Sequence, residues 1–195
     1  MIVMGINGSP DKNGNTSFII NEILKKIKAH GHETYHINAE ETLNDLHSPF
    51  CTACTNPCTG ICYKNKKLSD VFELMKKADA FILGSPSYFG TMSGQLKCFF
   101  DKTRTLRSEK ALYNKLGAAV CVGASRFGGQ ETTIKAIHDL MLVHGMYIIG
   151  DGYISDDCGH HGVCAQKPSE EDIFAIKRSD ILAKRILECI NYPKK

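Results

Sequence analysis

Four cysteines, Cys51, Cys54, Cys58 and Cys62, fall within twelve residues at the spacing C-x2-C-x3-C-x3-C. Thiolates are soft metal ligands. Four in so short a stretch suit a 4Fe-4S cubane, which takes four cysteine ligands, or a tetrahedral zinc ion. Pro57 and Gly60 help the chain turn between them. The other five cysteines read differently. Cys98, Cys121 and Cys189 lie on predicted helix or strand faces, where a free cysteine packs as a small hydrophobe. Cys158 and Cys164 flank Gly159, His160, His161 and Gly162 as C-x-H-H-x2-C. That group either binds a metal or belongs to a loop that covers another site, and covering is the simpler reading.

Three further segments have the residue types of ligand loops. The first, Gly8 to Ser17, reads GSPDKNGNTS and opens a predicted helix. Free N–H groups and the positive end of the helix dipole favour phosphate there. Ser9, Asn15, Thr16 and Ser17 offer polar side chains, with Asp11 and Lys12 in the turn itself. The loop has neither the Gly-Lys-Ser/Thr of a Walker A motif nor a G-x-G-x-x-G fingerprint. Its plain alternative is a capped polar turn.

The second segment, Ser85 to Gly94, contains Pro86, Ser87, Tyr88, Phe89 and Gly90. Aromatic surface beside exposed backbone amides is what a flat heteroaromatic ring requires. The alternative is that its aromatics pack into the core. The third, Gly123 to Thr133, contains Ala124, Ser125, Arg126, Gly128 and Gly129. Paired glycines let backbone approach a ligand closely. Arg126 either neutralises an anionic ligand or forms a surface salt bridge.

The elements that must position these residues alternate along the chain. Ile2 to Ile6 is a buried strand, and Thr16 to Ala29 is a helix with Ile20, Ile23, Leu24 and Ile27 at helical spacing. Glu33 to Asn38, Ala80 to Gly84, Gly117 to Val122 and Met146 to Ile149 supply four more strands. Helices are expected over Leu68–Lys77, Met92–Lys102, Gln130–His144 and Ser169–Ile190, the last opened by Ser169 with Asp172 three residues on. Two long loops remain, 47–67 with the clustered cysteines and 151–168 rich in Gly, His and Cys. Five strands alternating with five helices predict one domain over 1–195, built on a doubly wound parallel sheet. In such sheets ligands sit beyond the carboxyl ends of the strands. The turns after the first, third and fourth strands are the three loops above.

Composition narrows the function class. Of 195 residues, 24 are Lys or Arg and 21 are Asp or Glu, a net charge of +3 that is spread along the chain. The short basic stretch Lys64 to Lys67 reads as a solvated loop. Neither nucleic acid nor a membrane surface is the expected partner. No apolar run reaches the length of a membrane span, and the first residues run into a strand without a leader pattern. A cytoplasmic location is therefore expected. There the nine cysteines stay reduced, and an odd count also argues against a closed disulfide framework.

Gly8-Ser9-Pro10 through Asn15-Thr16, then Gly84-Ser85-Pro86-Ser87-Tyr88-Phe89-Gly90, then Gly123 through Thr133, resemble the FMN loops of the NADPH-dependent FMN reductase family. Gly128-Gly129-Gln130-Glu131-Thr132-Thr133 and His144-Gly145-Met146 are similar to its iron–sulfur flavoprotein branch. The resemblance covers nearly the whole chain. It implies a flavodoxin-like sheet of order 2-1-3-4-5 with helices on both faces. It implies that the first loop holds the FMN phosphate and that the second and third hold the isoalloxazine ring. The branch carries a cysteine motif after the second strand, usually C-x2-C-x2-C and then a longer gap. Here the third cysteine is shifted by one and the last gap is shorter.

The resemblance further implies electron transfer fed by a ferredoxin-like donor or NAD(P)H, in a homodimer or dimer of dimers with the flavin near a subunit interface. The chain has no Trp to stack on the ring. No side chain reads as a hydrolytic base or nucleophile, so the reactive atoms are expected on the cofactors. The competing readings are an NAD(P)H-dependent FMN or quinone reductase with zinc or nothing on the cysteines, a simple flavodoxin-type carrier, and a non-catalytic metal sensor.

Overall fold

The computed structural model describes residues 1–191; positions 192–195, inside the expected 1–195 domain, lie outside the described residues. β1 (Ile2–Asn7) leads through the first loop into α1 (Asn15–Ala29). β2 (Glu33–Asn38) is followed at once by the short α2 (Ala39–Leu43), whose first turn is capped by Asn38 accepting from Glu41 N at 3.0 Å. After the cysteine loop come α3 (Lys67–Lys77), β3 (Ala80–Pro86), α4 (Gly94–Asp101) and the single-turn α5 (Arg104–Ser108). β4 (Leu116–Gly123), α6 (Gln130–Val143), β5 (Tyr147–Ile149), β6 (Val163–Gln166) and α7 (Ile173–Asn191) complete the chain.

The strands pair in parallel in the order β2-β1-β3-β4-β5, as the resemblance implies. Side chains of the central strands alternate strictly between two cores. Val3, Ala80, Ile82, Ala118, Val120 and Val122 face α1 and α7. Met4, Ile6, Phe81, Leu83, Ala119 and Cys121 face α3, α4 and α6. A period of two with both faces apolar is what burial between two helix layers demands. Gly5 lets α1 lie close to the sheet, since a Cβ there would stand 2.4 Å from Ile20 Cγ2.

Two features differ from the expectation. The fifth sheet position is filled in two pieces. β5 pairs with Leu116–Ala118, the chain leaves over 150–162, and β6 returns to pair with Val120–Gly123. Part of the expected loop 151–168 is therefore strand. Second, the last helix starts at Ile173, and its cap is Asp172 rather than Ser169. Asp172 Oδ1 accepts from Ala175 N at 3.0 Å, and Oδ2 from Gln166 N at 2.9 Å. Among the described residues, no helix is long and apolar enough to cross a membrane.

Candidate functional site

The first loop is a chain of local hydrogen bonds. Asn7 Oδ1 accepts from Ser9 N at 2.9 Å, Ser9 Oγ from Asp11 N at 3.1 Å, and Asp11 Oδ1 from Asn13 N at 3.0 Å. Asn38 at the end of β2 donates to Ser9 O at 3.0 Å. Lys12 is turned away to Glu41 at 3.0 Å, and Asn15 Oδ1 accepts from Ser169 N at 2.6 Å. These contacts shape the loop through Ser9, Asp11, Lys12 and the Asn15 carbonyl, and Ser9 Oγ, which accepts from Asp11 N, keeps its own O–H to donate. α1 itself begins with Gly14 as its cap and no capping side chain, so its leading N–H groups remain open. The hydroxyls of Thr16 and Ser17, on residues 2% and 3% exposed, have no hydrogen-bond partner among the described residues. An uncapped helix end beside two unspent hydroxyls fits an anionic group such as a phosphate.

The second loop is bound to the first. Gly8 N donates to Gly84 O at 2.7 Å, and Ser93 Oγ donates to Gly8 O at 2.5 Å. Pro86 ends β3, and Ser87 N donates to Val122 O at 2.8 Å. Tyr88 and Thr91 then close a tight turn through mutual backbone hydrogen bonds of 2.9 and 3.1 Å. Its two central residues, Phe89 and Gly90, both have positive φ, 51° and 74°. That conformation suits a two-residue hairpin turn and is unfavourable for Phe. Phe89 is wholly exposed at the tip, and Tyr88 is also exposed, so neither packs into the core.

The third loop is bound to the second. Ser87 Oγ donates to Gly128 O at 2.8 Å, and Thr132 Oγ1 donates to Gly90 O at 2.8 Å. Gly129 has φ +83°, and a Cβ there would meet Gly90 Cα at 2.9 Å. Gln130, buried at the start of α6, holds the loop from inside. It accepts from Gly128 N at 2.8 Å and donates to Ser125 O at 2.6 Å and Ala165 O at 3.2 Å. Sequence reasoning did not assign Gln130 a role; its place directly after Gly128-Gly129 was the available signal. Ala124 and Ser125 are exposed. Arg126 makes no ion pair among the described residues and lines a cavity of about 300 Å³ with Gln130, His160, Cys164 and Phe174. Burial pushes the Cys164 thiol up to about 12, so it stays protonated.

The cysteine loop lies at the far end of α4. Cys51, Cys54, Cys58 and Cys62 all line one cavity of about 170 Å³, with His47, Lys102 and Arg104 among its other walls. Its lining includes no Asp or Glu. Burial raises the Cys62 thiol, the Lys102 ammonium opposes that shift, and Cys54 and Cys58 add to it. Among the described residues, no three His, Cys, Asp or Glu side chains are drawn together as a finished ligand set. The chemistry of the four-thiol wall nevertheless fits a soft metal centre. Tyr63 anchors the end of the loop. It is buried edge-to-face on Phe72, at a centroid separation of 5.1 Å, and its hydroxyl lies 2.6 Å from Thr105 Oγ1.

A second cavity, of about 360 Å³, adjoins Cys51 and is walled by Arg104, Arg107, Thr103 and His144. Thr103 Oγ1 donates to Phe100 O at 2.6 Å, so at 2.9 Å it receives the Nε2 proton of His144. His144 Nδ1 is then a buried acceptor with no partner among the described residues. Burial, with Arg107 adding to it, lowers the His144 pKa to about 4. The expected C-x-H-H-x2-C group is spread out: Cys158 is exposed in the 150–162 excursion, while Cys164 lies on β6.

Comparison with known proteins agrees with this architecture. The model of the NADPH-dependent FMN reductase family matches residues 1–161. An iron–sulfur flavoprotein of Methanocaldococcus jannaschii is 40% identical over the full length of both chains. An iron–sulfur flavoprotein of Methanosarcina thermophila is 36% identical over 100% of this chain and 98% of its own. Among solved structures, a WrbA-like flavodoxin from Agrobacterium tumefaciens superposes with a TM-score of 0.68 over 96% of each chain, at 19% identity. Flavodoxin 2 from Bacillus cereus superposes with a TM-score of 0.64 over 96% of this chain and 98% of its own, at 15% identity. With a matching sheet order, three interlocked carboxyl-end loops and full-length relatives above 30% identity, the chain belongs to the NADPH-dependent FMN reductase family, in the branch of the iron–sulfur flavoproteins.

Proposed function

We propose that this chain is an FMN-dependent oxidoreductase that couples one-electron to two-electron transfer, with FMN on the three loops and a 4Fe-4S cluster on Cys51, Cys54, Cys58 and Cys62. When bound, FMN exchanges one or two electrons and the cluster one. The open N-terminus of α1, with Thr16, Ser17 and the Asn15 amide, would take the phosphate. Ser9, Asp11 and Lys12 hold the shape of that turn. The segment Pro86-Ser87-Tyr88-Phe89-Gly90 and the backbone of Ala124, Ser125, Gly128 and Gly129 would hold the ring, with Arg126 at its rim. The electron source would be a ferredoxin-like carrier or NAD(P)H. A second copy of the chain would cover the exposed Phe89 and Phe127 in a homodimer or dimer of dimers.

The observation that carries this reading is the single cavity shared by all four clustered cysteines. It lies at the end of the helix that starts from the second loop. Eight residues of α4 separate the two, about 12 Å at the helical rise.

The test is metal, sulfide and flavin content, with an absorption spectrum, on protein purified without oxygen. The expected result is about four irons and one FMN per chain, as a four-cysteine cubane requires. FMN with zinc or no metal would make the chain a plain flavin or quinone reductase. Absence of both flavin and iron would overturn the reading.

A further inference from the structure

We propose that Lys102 is the charge-balancing residue of the cysteine site, and that its ammonium sets how readily the group held there accepts an electron. This inference rests on the reading of Cys51, Cys54, Cys58 and Cys62 as cluster ligands.

Lys102 follows directly on α4 and is 3% exposed. Its Nζ donates to Phe50 O at 3.1 Å, and among the described residues it has no carboxylate partner. A buried ammonium satisfied only by one neutral carbonyl is unfavourable by itself. Such groups are found where a negative partner completes them. The cavity wall that Lys102 joins contains four cysteines, Arg104 and His47, and no acidic side chain. Its fixed formal charge is therefore positive, and the complement it calls for is an anion. Four thiolates around an iron–sulfur core form one. An ammonium has three donors, and one goes to Phe50 O, so two are available to the sulfurs.

The sequence neighbours of Lys102 do not share this role. Lys97 is exposed and paired with Asp101 at 2.6 Å. Arg104 is only half-buried, and Arg107 is exposed. Lys102 alone of these four basic side chains is withdrawn from water. Reduction adds one electron, supplied by a one-electron donor, and one negative charge to the group. No bond is made or broken at Lys102. A fixed positive charge and hydrogen bonds to sulfur both favour the reduced state.

The experiment is an anaerobic redox titration of the full-length protein, followed by visible absorption and electron paramagnetic resonance. It compares wild type with K102Q, K102M and K102R. Dithionite serves as the reductant, and FMN content and far-ultraviolet circular dichroism report folding. K102Q keeps a hydrogen-bond donor without the charge. Its cluster is expected to reduce at lower potential by at least a tenfold change in the reduction constant, 59 mV for one electron. K102R is expected to stay with wild type. K102Q titrating with wild type would overturn the inference and leave the cluster reading intact. If K102M and K102Q fold and bind FMN but lose iron while K102R keeps it, the charge requirement is supported. If K102R loses iron as well, Lys102 is a packing residue and the inference falls. A wild-type protein with zinc or no metal overturns the cluster reading and this inference with it.

Discussion

His144 shows how a single residue acquires a property that its neighbours in sequence do not announce. In the sequence it opens a His-Gly-Met stretch at the end of an expected helix. In the fold its Nε2–H is spent on Thr103, and Nδ1 has no partner among the described residues. Protonation would place a charge on that nitrogen with nothing to receive it, so the folded protein keeps His144 neutral, with its pKa near 4. The unfolded chain takes up a proton near pH 6.5. Between these values the unfolded state binds more protons, and stability falls as pH drops from about 6.5 to about 4. The full loss is on the order of 3 kcal/mol, from about 1.4 kcal/mol per unit. Urea unfolding at pH 7.5 and pH 5 should show about 2 kcal/mol of it, since pH 5 lies about 1.5 units below the unfolded value. H144Q, which preserves a donor to Thr103, should lose distinctly less stability between the two pH values than wild type. Equal losses would place the acid sensitivity elsewhere. Gln130 and Lys102 belong with His144. Their types are ordinary, and only their surroundings make them specific.

At the scale of elements, the strongly periodic segments were legible. All five expected strands appear; β1, β3 and β4 are apolar runs bounded by turn residues and buried between helices, whereas β2 is a half-buried edge strand. What escaped were the pieces too short to carry a period: α2, α5 and β6, of five, five and four residues. β6 forms because β4 is longer than β5 and leaves Val120–Gly123 to be paired. The excursion at 150–162 that interrupts this edge is tied down at its root. Arg178 on α7 donates through Nε to Asp151 Oδ2 and through NH2 to Asp151 O, each at 2.6 Å, with Asp151 fully buried. The exposed Asp157 adds little to this pair, since solvent screens it. Removing one partner of a buried pair strands the other charge. D151A is therefore expected to cost about 3–5 kcal/mol of unfolding free energy. Chemical denaturation would check it, and a loss below about 1 kcal/mol would mean that the excursion is held by its packing instead.

At the scale of the whole molecule, ligand binding should be visible as stability. FMN at about a hundred times its Kd adds about 2.7 kcal/mol to the folded state. Thermal melts of flavin-stripped protein should therefore rise with FMN, and less with riboflavin, which lacks the phosphate. T16V removes a hydroxyl that has no partner among the described residues, so the stripped variant should melt close to wild type. Its FMN shift should shrink toward the riboflavin shift. Identical shifts for FMN and riboflavin would put the flavin away from the N-terminus of α1.

The amino-acid sequence by itself determined the strand–helix alternation, the three carboxyl-end loops and the cysteine spacing. Each of these is local: a period of two or 3.6, a turn residue, or a count between like side chains. Only the tertiary structure decided that the three loops interlock through Ser87, Ser93 and Thr132, that the fifth sheet position is split, and that Lys102 lies beneath the cysteine loop. These contacts join residues 41 to 85 positions apart. Their partners are selected by the packing of helices on a shared sheet, which no local pattern encodes.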